Sequence, residues 1–75
     1  MNFLIMGFEK DKGELVYEQE FNVPVSDLMA VMQWASSTDC IGAEFPVSPT
    51  QAEHISMLAA IKLPSNVNLY VSSYE

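Results

Sequence analysis

The stretch NFLIMGFEKDKGELVYEQEF, residues 2–21, decides the fold because it has the pattern of two strands joined by a tight turn. In the first strand, residues 2–9, apolar side chains fall on both faces: Phe3 and Ile5 on one, and Leu4, Met6 and Phe8 on the other. Apolar residues on both faces are typical of a strand in the middle of a sheet. The turn is KDKG at 10–13, where Gly13 can adopt a left-handed conformation.

The returning strand, ELVYEQEF at 14–21, separates apolar from acidic side chains by parity. One parity holds Leu15, Tyr17, Gln19 and Phe21, and the other holds Glu14, Val16, Glu18 and Glu20. Since successive side chains of a strand point to opposite faces, the pattern predicts one apolar face and one row of three carboxylates. Like charges about 7 Å apart repel mildly, so the row contributes nothing to folding and requires another explanation.

A helix is predicted after Pro24, which ends the second strand. Ser26 is a suitable N-cap, Asp27 stands in the favourable first turn, and the helix runs to about Ala35. Its helical spacing predicts a stripe that faces the sheet: Leu28, Val31, Met32 and Ala35. The residues that follow, 36–43, have the composition of a loop.

The second half of the chain predicts a short strand, a helix and a last strand. EFPV at 44–47 is a candidate edge strand, because proline is excluded from a sheet centre. Ser48, Pro49 and Gln51 supply the N-cap, the N1 proline and the capping-box partner of a helix that Pro64 stops. The predicted buried stripe of this helix is Ala52, Ile55, Leu58 and Ala59. The last strand, 66–74, has an apolar face formed by Val67, Leu69 and Val71.

These elements predict a single α+β domain over residues 1–75. Its sheet is small and mainly antiparallel, built from the N-terminal hairpin, the C-terminal strand and the candidate edge strand, with two helices packed on one face. At 75 residues such a fold buries only about 60% of the surface of the unfolded chain, and the apolar content of 49% is enough for that core.

The composition predicts a soluble, cytoplasmic protein. The single Cys40 cannot form an intramolecular disulfide, which suits a reducing compartment. The apolar run at 2–8 lacks a basic flank and a cleavage site, and it is too short to span a bilayer.

Charge is the strongest global signal. Ten acidic residues stand against three lysines and no arginine, for a net charge of −7. Nucleic acids and anionic membranes are disfavoured as partners, because both require cationic side chains. A basic protein surface is favoured, since opposite charge speeds its encounter with this chain. The alternative is that the charge only keeps a small protein soluble.

The residues needed for catalysis or metal binding are missing. One His and one Cys give no ligand cluster, and no glycine-rich phosphate loop or EF-hand is present. His54 beside Glu53 is typical of a surface pair, and Asp39 next to Cys40 disfavours the reactive thiolate. We therefore expect no enzyme, no catalytic residue, no metal and no cofactor, and we expect a binding protein instead.

Aromatic side chains are the candidate anchors of a binding surface. Tyr70 and Tyr74 lie on the parity opposite to the apolar face of the last strand. Trp34 and Met29 fall off the stripe of the first helix, although a lone tryptophan in a small domain is more often part of the core.

The sequence resembles a family of small bacterial immunity proteins, found beside polymorphic toxins and in contact-dependent growth inhibition systems. The resemblance is carried by GFEKDKGELVYEQEF at 7–21, VSPTQAEHISML at 47–58 and NLYVSSYE at 68–75. The segment from Met32 to Phe45 matches nothing in that family, and partner specificity could vary there. The resemblance implies a cytoplasmic protein that binds and neutralises a cognate toxin domain, with no catalytic residues of its own.

The acidic row then has a purpose, because many such toxins are nucleases with basic active sites. The expected partner-binding residues are Glu9, Asp11, Glu14, Glu18, Glu20, Asp39, Glu44, Tyr70 and Tyr74. Two alternatives remain open: an acidic nucleic-acid mimic that inhibits a DNA-binding protein, and a structural module that self-assembles through sheet edges. The oligomeric state is also open.

Overall fold

The computed structural model describes residues 2–34 and 44–74. Its elements are β1 (Asn2–Glu9), β2 (Leu15–Phe21), α1 (Val25–Met32), β3 (Glu44–Val47), α2 (Pro49–Ala59) and β4 (Val67–Tyr74). The four strands form one antiparallel sheet in the order β2-β1-β4-β3. The predicted α+β architecture is confirmed, with β1 in the interior of the sheet and Glu44–Val47 at its edge. The predicted loop at 36–43 lies outside the described residues.

Both helices pack on the same face of the sheet, which we call the covered face. Phe3, Ile5 and Val71 stand on this face and are fully buried. Leu28 of α1 and Ile55 of α2 are buried against them in the same cluster. The core therefore lies between the sheet and the two helices, as the predicted stripes require.

α1 begins two residues earlier than predicted and ends sooner, at Met32. Pro24 is its N-cap residue, and the Pro24 carbonyl accepts hydrogen bonds from the amides of Asp27 and Leu28 at 3.0 and 3.3 Å. The prediction of Ser26 as the N-cap is therefore wrong, because Ser26 already lies inside the first turn. The helix ends at Met32, because Gln33 adopts the left-handed conformation with φ 60°.

The start of α2 confirms the capping box. The Gln51 amide donates to Ser48 Oγ at 3.1 Å, and the Ser48 amide donates to Gln51 Oε1 at 2.9 Å. Gln51 Nε2 also donates to the carbonyl of Val31 at 3.3 Å, which joins the two helices. The end of the helix differs from the prediction, since left-handed Ala60 stops it before Pro64 is reached.

The buried stripe of α2 is narrower than predicted. Ile55 is fully buried and Ala52 and Ala59 are half-buried, but Leu58 is 44% exposed. At about 100° per residue, Leu58 lies roughly 60° from Ile55 on the side away from both alanines. The prediction that Leu58 belongs to the core is wrong because the sheet-facing side of α2 is centred between Ile55 and those alanines.

A β-bulge changes the parity of the returning strand. Gly7 pairs with Tyr17, but the next residue, Phe8, pairs with Leu15, so Val16 is an extra residue on β2. Leu15 therefore lies on the face opposite to Tyr17 and is 50% exposed. The prediction that Leu15 shares the core face with Tyr17 and Phe21 is wrong for this reason.

Gly7 allows neighbouring side chains to pack closely at this bulge. A Cβ on Gly7 would approach the Cβ of Tyr17 to 3.2 Å and Cγ2 of Val67 to 3.1 Å. β2 therefore lies close to β1 at this point, where the local twist of a bulge is accommodated. Beyond it, the turn is closed by hydrogen bonds from the Glu9 amide to the Glu14 carbonyl at 2.8 Å and from the Gly13 amide to the Glu9 carbonyl at 2.7 Å.

Candidate functional site on the uncovered sheet face

The second face of the sheet has no helix packed on it in the described residues, and we call it the open face. The strand register places the following side chains on it: Asn2, Leu4, Met6, Phe8, Leu15, Glu18, Glu20, Glu44, Pro46, Asn68, Tyr70, Ser72 and Tyr74. The set contains apolar, aromatic and acidic residues, and it contains no lysine, arginine or histidine.

The centre of the open face is apolar and aromatic. Met6 of β1 lies opposite Glu18 of β2 and Tyr70 of β4, and only 7% of it is exposed. It does not belong to the main core cluster, so its burial comes from its neighbours on the open face. The rings of Phe8 and Tyr70 meet edge to face, with centroids 5.6 Å apart and an interplanar angle of 80°. These side chains form a small second cluster on the outside of the sheet.

Acidic side chains border this cluster at both edges of the sheet. Glu18 and Glu20 stand exposed on β2, and Glu44 stands exposed on β3. Three strand spacings separate the two edges, a distance of about 14 Å. The open face therefore has a negative rim on each side of an apolar strip about two strands wide.

A hydrogen bond spans β1 at one end of the open face. The Tyr74 hydroxyl donates to the carboxylate of Glu20, and this bond raises the pKa of Tyr74 above its ordinary value of 10.0. Partial burial and the negative charges of Glu20 and Glu18 add to the increase. The bond holds the ring of Tyr74 over the sheet and links an aromatic side chain to the acidic rim.

Five of the predicted partner-binding residues come together here: Glu18, Glu20, Glu44, Tyr70 and Tyr74. Glu9, Asp11 and Glu14 do not, since they surround the β1–β2 turn at the end of the hairpin. Glu14 precedes β2, so the predicted row of three carboxylates is reduced to Glu18 and Glu20. The prediction for Asp39 lies outside the described residues.

Trp34 packs against the core, as a lone tryptophan in a small domain usually does, and does not lie on the open face. Its ring packs on that of Phe45 at 4.9 Å between centroids, and both residues lie against the main core. Leu4, Met6, Phe8 and Leu15 are the binding candidates that the sequence analysis missed. For the three residues of β1, the sequence did contain a signal, because apolar side chains alternate on both sides of that strand. Once both helices are assigned to one face, this pattern indicates that the other face is also apolar.

Two grooves lie beside α2, and the larger of them reaches Tyr70 at the border of the open face. One, between α1 and α2, is lined by Asp27, Ala30, Val31, His54, Met57 and Leu58. The other has a volume of about 570 Å³ and lies between α2, the residues that follow it and the start of β4, with Lys10 and Lys62 among its lining residues. Within residues 2–34 and 44–74, no three His, Cys, Asp or Glu side chains are grouped as metal ligands.

None of the described helices has both the length and the apolar character needed to cross a membrane. Comparisons with protein-family models, with curated proteins and with solved structures give no match to this chain.

Proposed function

We propose that this chain is a non-catalytic immunity protein that binds a cognate bacterial toxin domain through the open face. The observation that supports it is the apolar, aromatic centre between two acidic rims. The main core lies on the covered face, so folding does not require an apolar cluster on the outside of the sheet. A desolvated centre with aromatic anchors and a charged rim is the usual anatomy of a protein interface.

The charges of the open face favour a basic partner over a second copy of the chain. Two copies placed face to face would bring the rims of Glu18, Glu20 and Glu44 together without a cation on either side. Like charges in an interface cost several kcal/mol, whereas a basic surface would be attracted to both rims. A partner of this kind would also associate faster at low salt.

The spacing of the acids argues against a nucleic-acid mimic. Duplex DNA presents about one negative charge per 1.7 Å of its axis, so a mimic needs acids distributed across its surface. Here the rims lie about 14 Å apart, and the space between them is occupied by Met6, Phe8 and Tyr70. The partner must therefore present an apolar contact between its basic groups, as a folded protein surface does.

A toxin is proposed as the partner because the sequence resembles immunity proteins. Nucleases are the favoured class of toxin because their phosphate-binding surfaces are basic. An acidic face that covers such a surface would block the substrate or hold the toxin at a neighbouring site. The chain needs no catalytic group for either mode, which agrees with the missing catalytic motifs.

The test uses the C-terminal domain encoded by the gene immediately upstream. We expect this domain to co-purify with the chain, and cells that produce the domain to grow only when the chain is produced with it. Tyr70→Ala should weaken binding at least about tenfold, because it removes a central aromatic anchor. Leu58→Ala is the matched control, since Leu58 is 44% exposed on α2 and lines the groove between the two helices, not the groove that reaches Tyr70.

Two outcomes would contradict the proposal. One is the absence of both co-purification and growth protection. The other is a complex that Leu58→Ala weakens and Tyr70→Ala leaves unchanged, which would move the interface to the helices.

A further inference from the structure

We infer that the partner adds an extended, basic strand to the free edge of β2 and so continues the sheet. This inference rests on the proposed function and specifies how the partner engages the acidic rim formed by Glu18 and Glu20. It starts from the backbone of β2 and not from its charges, because an edge strand offers unpaired amides and carbonyls to another chain.

The two edges of the sheet differ in how open they are to such pairing. β3 has four residues, contains Pro46 and leads into α2 at Pro49. A short strand with proline is a poor template. β2 has seven residues without proline, and among the described strands it pairs only with β1. Its segment Tyr17–Phe21 continues regularly beyond the bulge, and it is the edge that can accept a strand.

One backbone hydrogen-bonding group of β2 already has a partner within the chain. The side-chain amide of Gln19 donates to the carbonyl of Glu20 at 2.7 Å in an exposed position. Gln19, Glu18 and Glu20 are all exposed, so no other element covers this part of β2 in the described residues. A partner strand would therefore reach the backbone without displacing any packed part of the fold.

Charge decides which strand can bind. If β2 paired with β2 of a second copy across the whole regular segment, the antiparallel register centred on Gln19 would place Glu18 opposite the second copy's Glu20, and the reverse pair would form as well. Like charges directly opposite each other destabilise a sheet, whereas opposite charges stabilise it. The edge therefore rejects a second copy and selects a strand with Lys or Arg at alternate positions.

The geometry also specifies the other side of that strand. Its basic side chains would stand on the open face beside Glu18 and Glu20. The alternate residues would fall on the covered side beside Tyr17 and Phe21, where small or β-branched side chains fit. The remainder of the partner would then extend from the β2 edge across Met6 and Tyr70.

The experiment uses the full chain and a synthetic peptide matched to the seven residues of β2. The probe is acetyl-Thr-Lys-Val-Lys-Val-Lys-Thr-amide, in which lysine alternates with β-branched residues. Two control peptides have the same net charge: one has its lysines moved into a single block, and one has N-methyl groups on alternate backbone amides. Binding is followed by NMR titration, and protection of β2 amides is followed by hydrogen exchange.

We expect the alternating peptide to bind at least about tenfold more tightly than either control and to protect amides of β2 alone. Glu18→Gln/Glu20→Gln should remove most of this difference. Asp11→Asn/Glu14→Gln, with the same change of charge at the turn, should preserve it.

Equal binding of all three peptides would overturn strand addition and leave the proposed function intact, because open-face attraction needs no backbone pairing. Absence of binding by every peptide would also overturn it. The proposed function itself fails only in the separate experiment, when the toxin domain neither co-purifies with the chain nor is neutralised by it.

Discussion

The covered and open faces of the sheet both carry an apolar row from β1, but within residues 2–34 and 44–74 helices pack on one of them alone. On the covered face, Phe3 and Ile5 are 1% and 0% exposed beneath α1 and α2. On the open face, Leu4 and Phe8 remain half-buried, and Met6 is buried by its neighbours in the sheet. The same strand therefore supplies the core on one side and an unpartnered apolar cluster on the other.

The two faces also differ in charge. Glu18, Glu20 and Glu44 all stand on the open face, whereas the buried residues of the covered face are apolar except for Ser73. Acid placed beside an exposed apolar cluster discourages non-specific association and leaves the cluster accessible to a basic partner. The comparison leads us to expect that the covered face determines stability and that the open face serves recognition under the proposed function. Each prediction below tests that division.

The largest effect is expected on the covered face. Ile55→Ala should lower the free energy of unfolding by about 2–5 kcal/mol, because it creates a cavity at a fully buried site. Leu58→Ala, one helical turn away on the same helix and 44% exposed, is the matched control and should cost less than about 1 kcal/mol. Urea unfolding of both variants measures the difference. Equal losses would mean that the two residues share one buried stripe after all.

The corresponding variant of the open face should be less destabilising. Met6→Ala removes a buried side chain, but its neighbours can close over the site, so we expect a loss near about 2 kcal/mol, the low end for such truncations. It should also weaken binding to the toxin domain, which Leu58→Ala should not affect. A loss of stability as large as that of Ile55→Ala would show that the open-face cluster belongs to the main core.

The sequence predicted most of the fold because the signals were local. Strand alternation in residues 2–9, the capping box of Ser48 and Gln51 and the proline in 44–47 each describe a few neighbouring residues, and the structure has all three features. The errors arose where the packing of the helices on the sheet determines the position of a residue. The N-cap at Pro24 and the position of Leu58 depend on how each helix approaches the sheet, which no local pattern encodes.

The candidate site was harder to predict for the same reason. Parity alone placed Glu14, Glu18 and Glu20 in one row, but the bulge at Gly7 and Tyr17 shifts the register and removes Glu14 from it. That shift follows from pairing with β1 and not from β2 by itself. The apolar centre was missed because the apolar residues on both sides of β1 were interpreted only as the sign of a central strand. The predicted placement of both helices on one face already left the other apolar row uncovered.

Removing charge from the open-face rim should change binding kinetics more than stability. Glu18→Gln/Glu20→Gln keeps the shape and relieves repulsion, but it also weakens the hydrogen bond from Tyr74 to Glu20, so the free energy of unfolding should change little. Association with the toxin domain should slow at low salt, and the difference should shrink as the screening length falls to about 8 Å near physiological ionic strength. Stopped-flow association at several salt concentrations measures this.

Asp11→Asn/Glu14→Gln is the control for this pair, because it removes the same charge from the hairpin end. We expect a smaller change in association rate, since these positions lie off the open face. If both double variants slowed association equally, net charge alone would account for the effect and the rim would have no special role.

The smallest effect concerns the hydrogen bond between Tyr74 and Glu20, which tests the geometry of the open face without a partner. The pKa of Tyr74 should exceed 10.0, because the Tyr74 hydroxyl donates to the carboxylate of Glu20 and loses that bond on ionisation. The folded state then holds this proton more tightly than the unfolded chain. The resulting stabilisation is fully present below about pH 10 and is lost as the pH rises through the raised pKa.

Subtracting the tyrosinate absorbance of Tyr74→Phe from that of the parent isolates the titration of Tyr74 from those of Tyr17 and Tyr70. In a Glu20→Gln background, the same subtraction should give a pKa closer to 10.0, because both the charged acceptor and its negative charge are removed. Glu44→Gln, which removes a carboxylate from the opposite rim, should leave the titration almost unchanged across the width of the sheet. If Glu20→Gln had no larger effect than Glu44→Gln, the Tyr74 hydroxyl would not contact Glu20 in solution. The ring of Tyr74 would then have another orientation on the open face, without a link to the acidic rim.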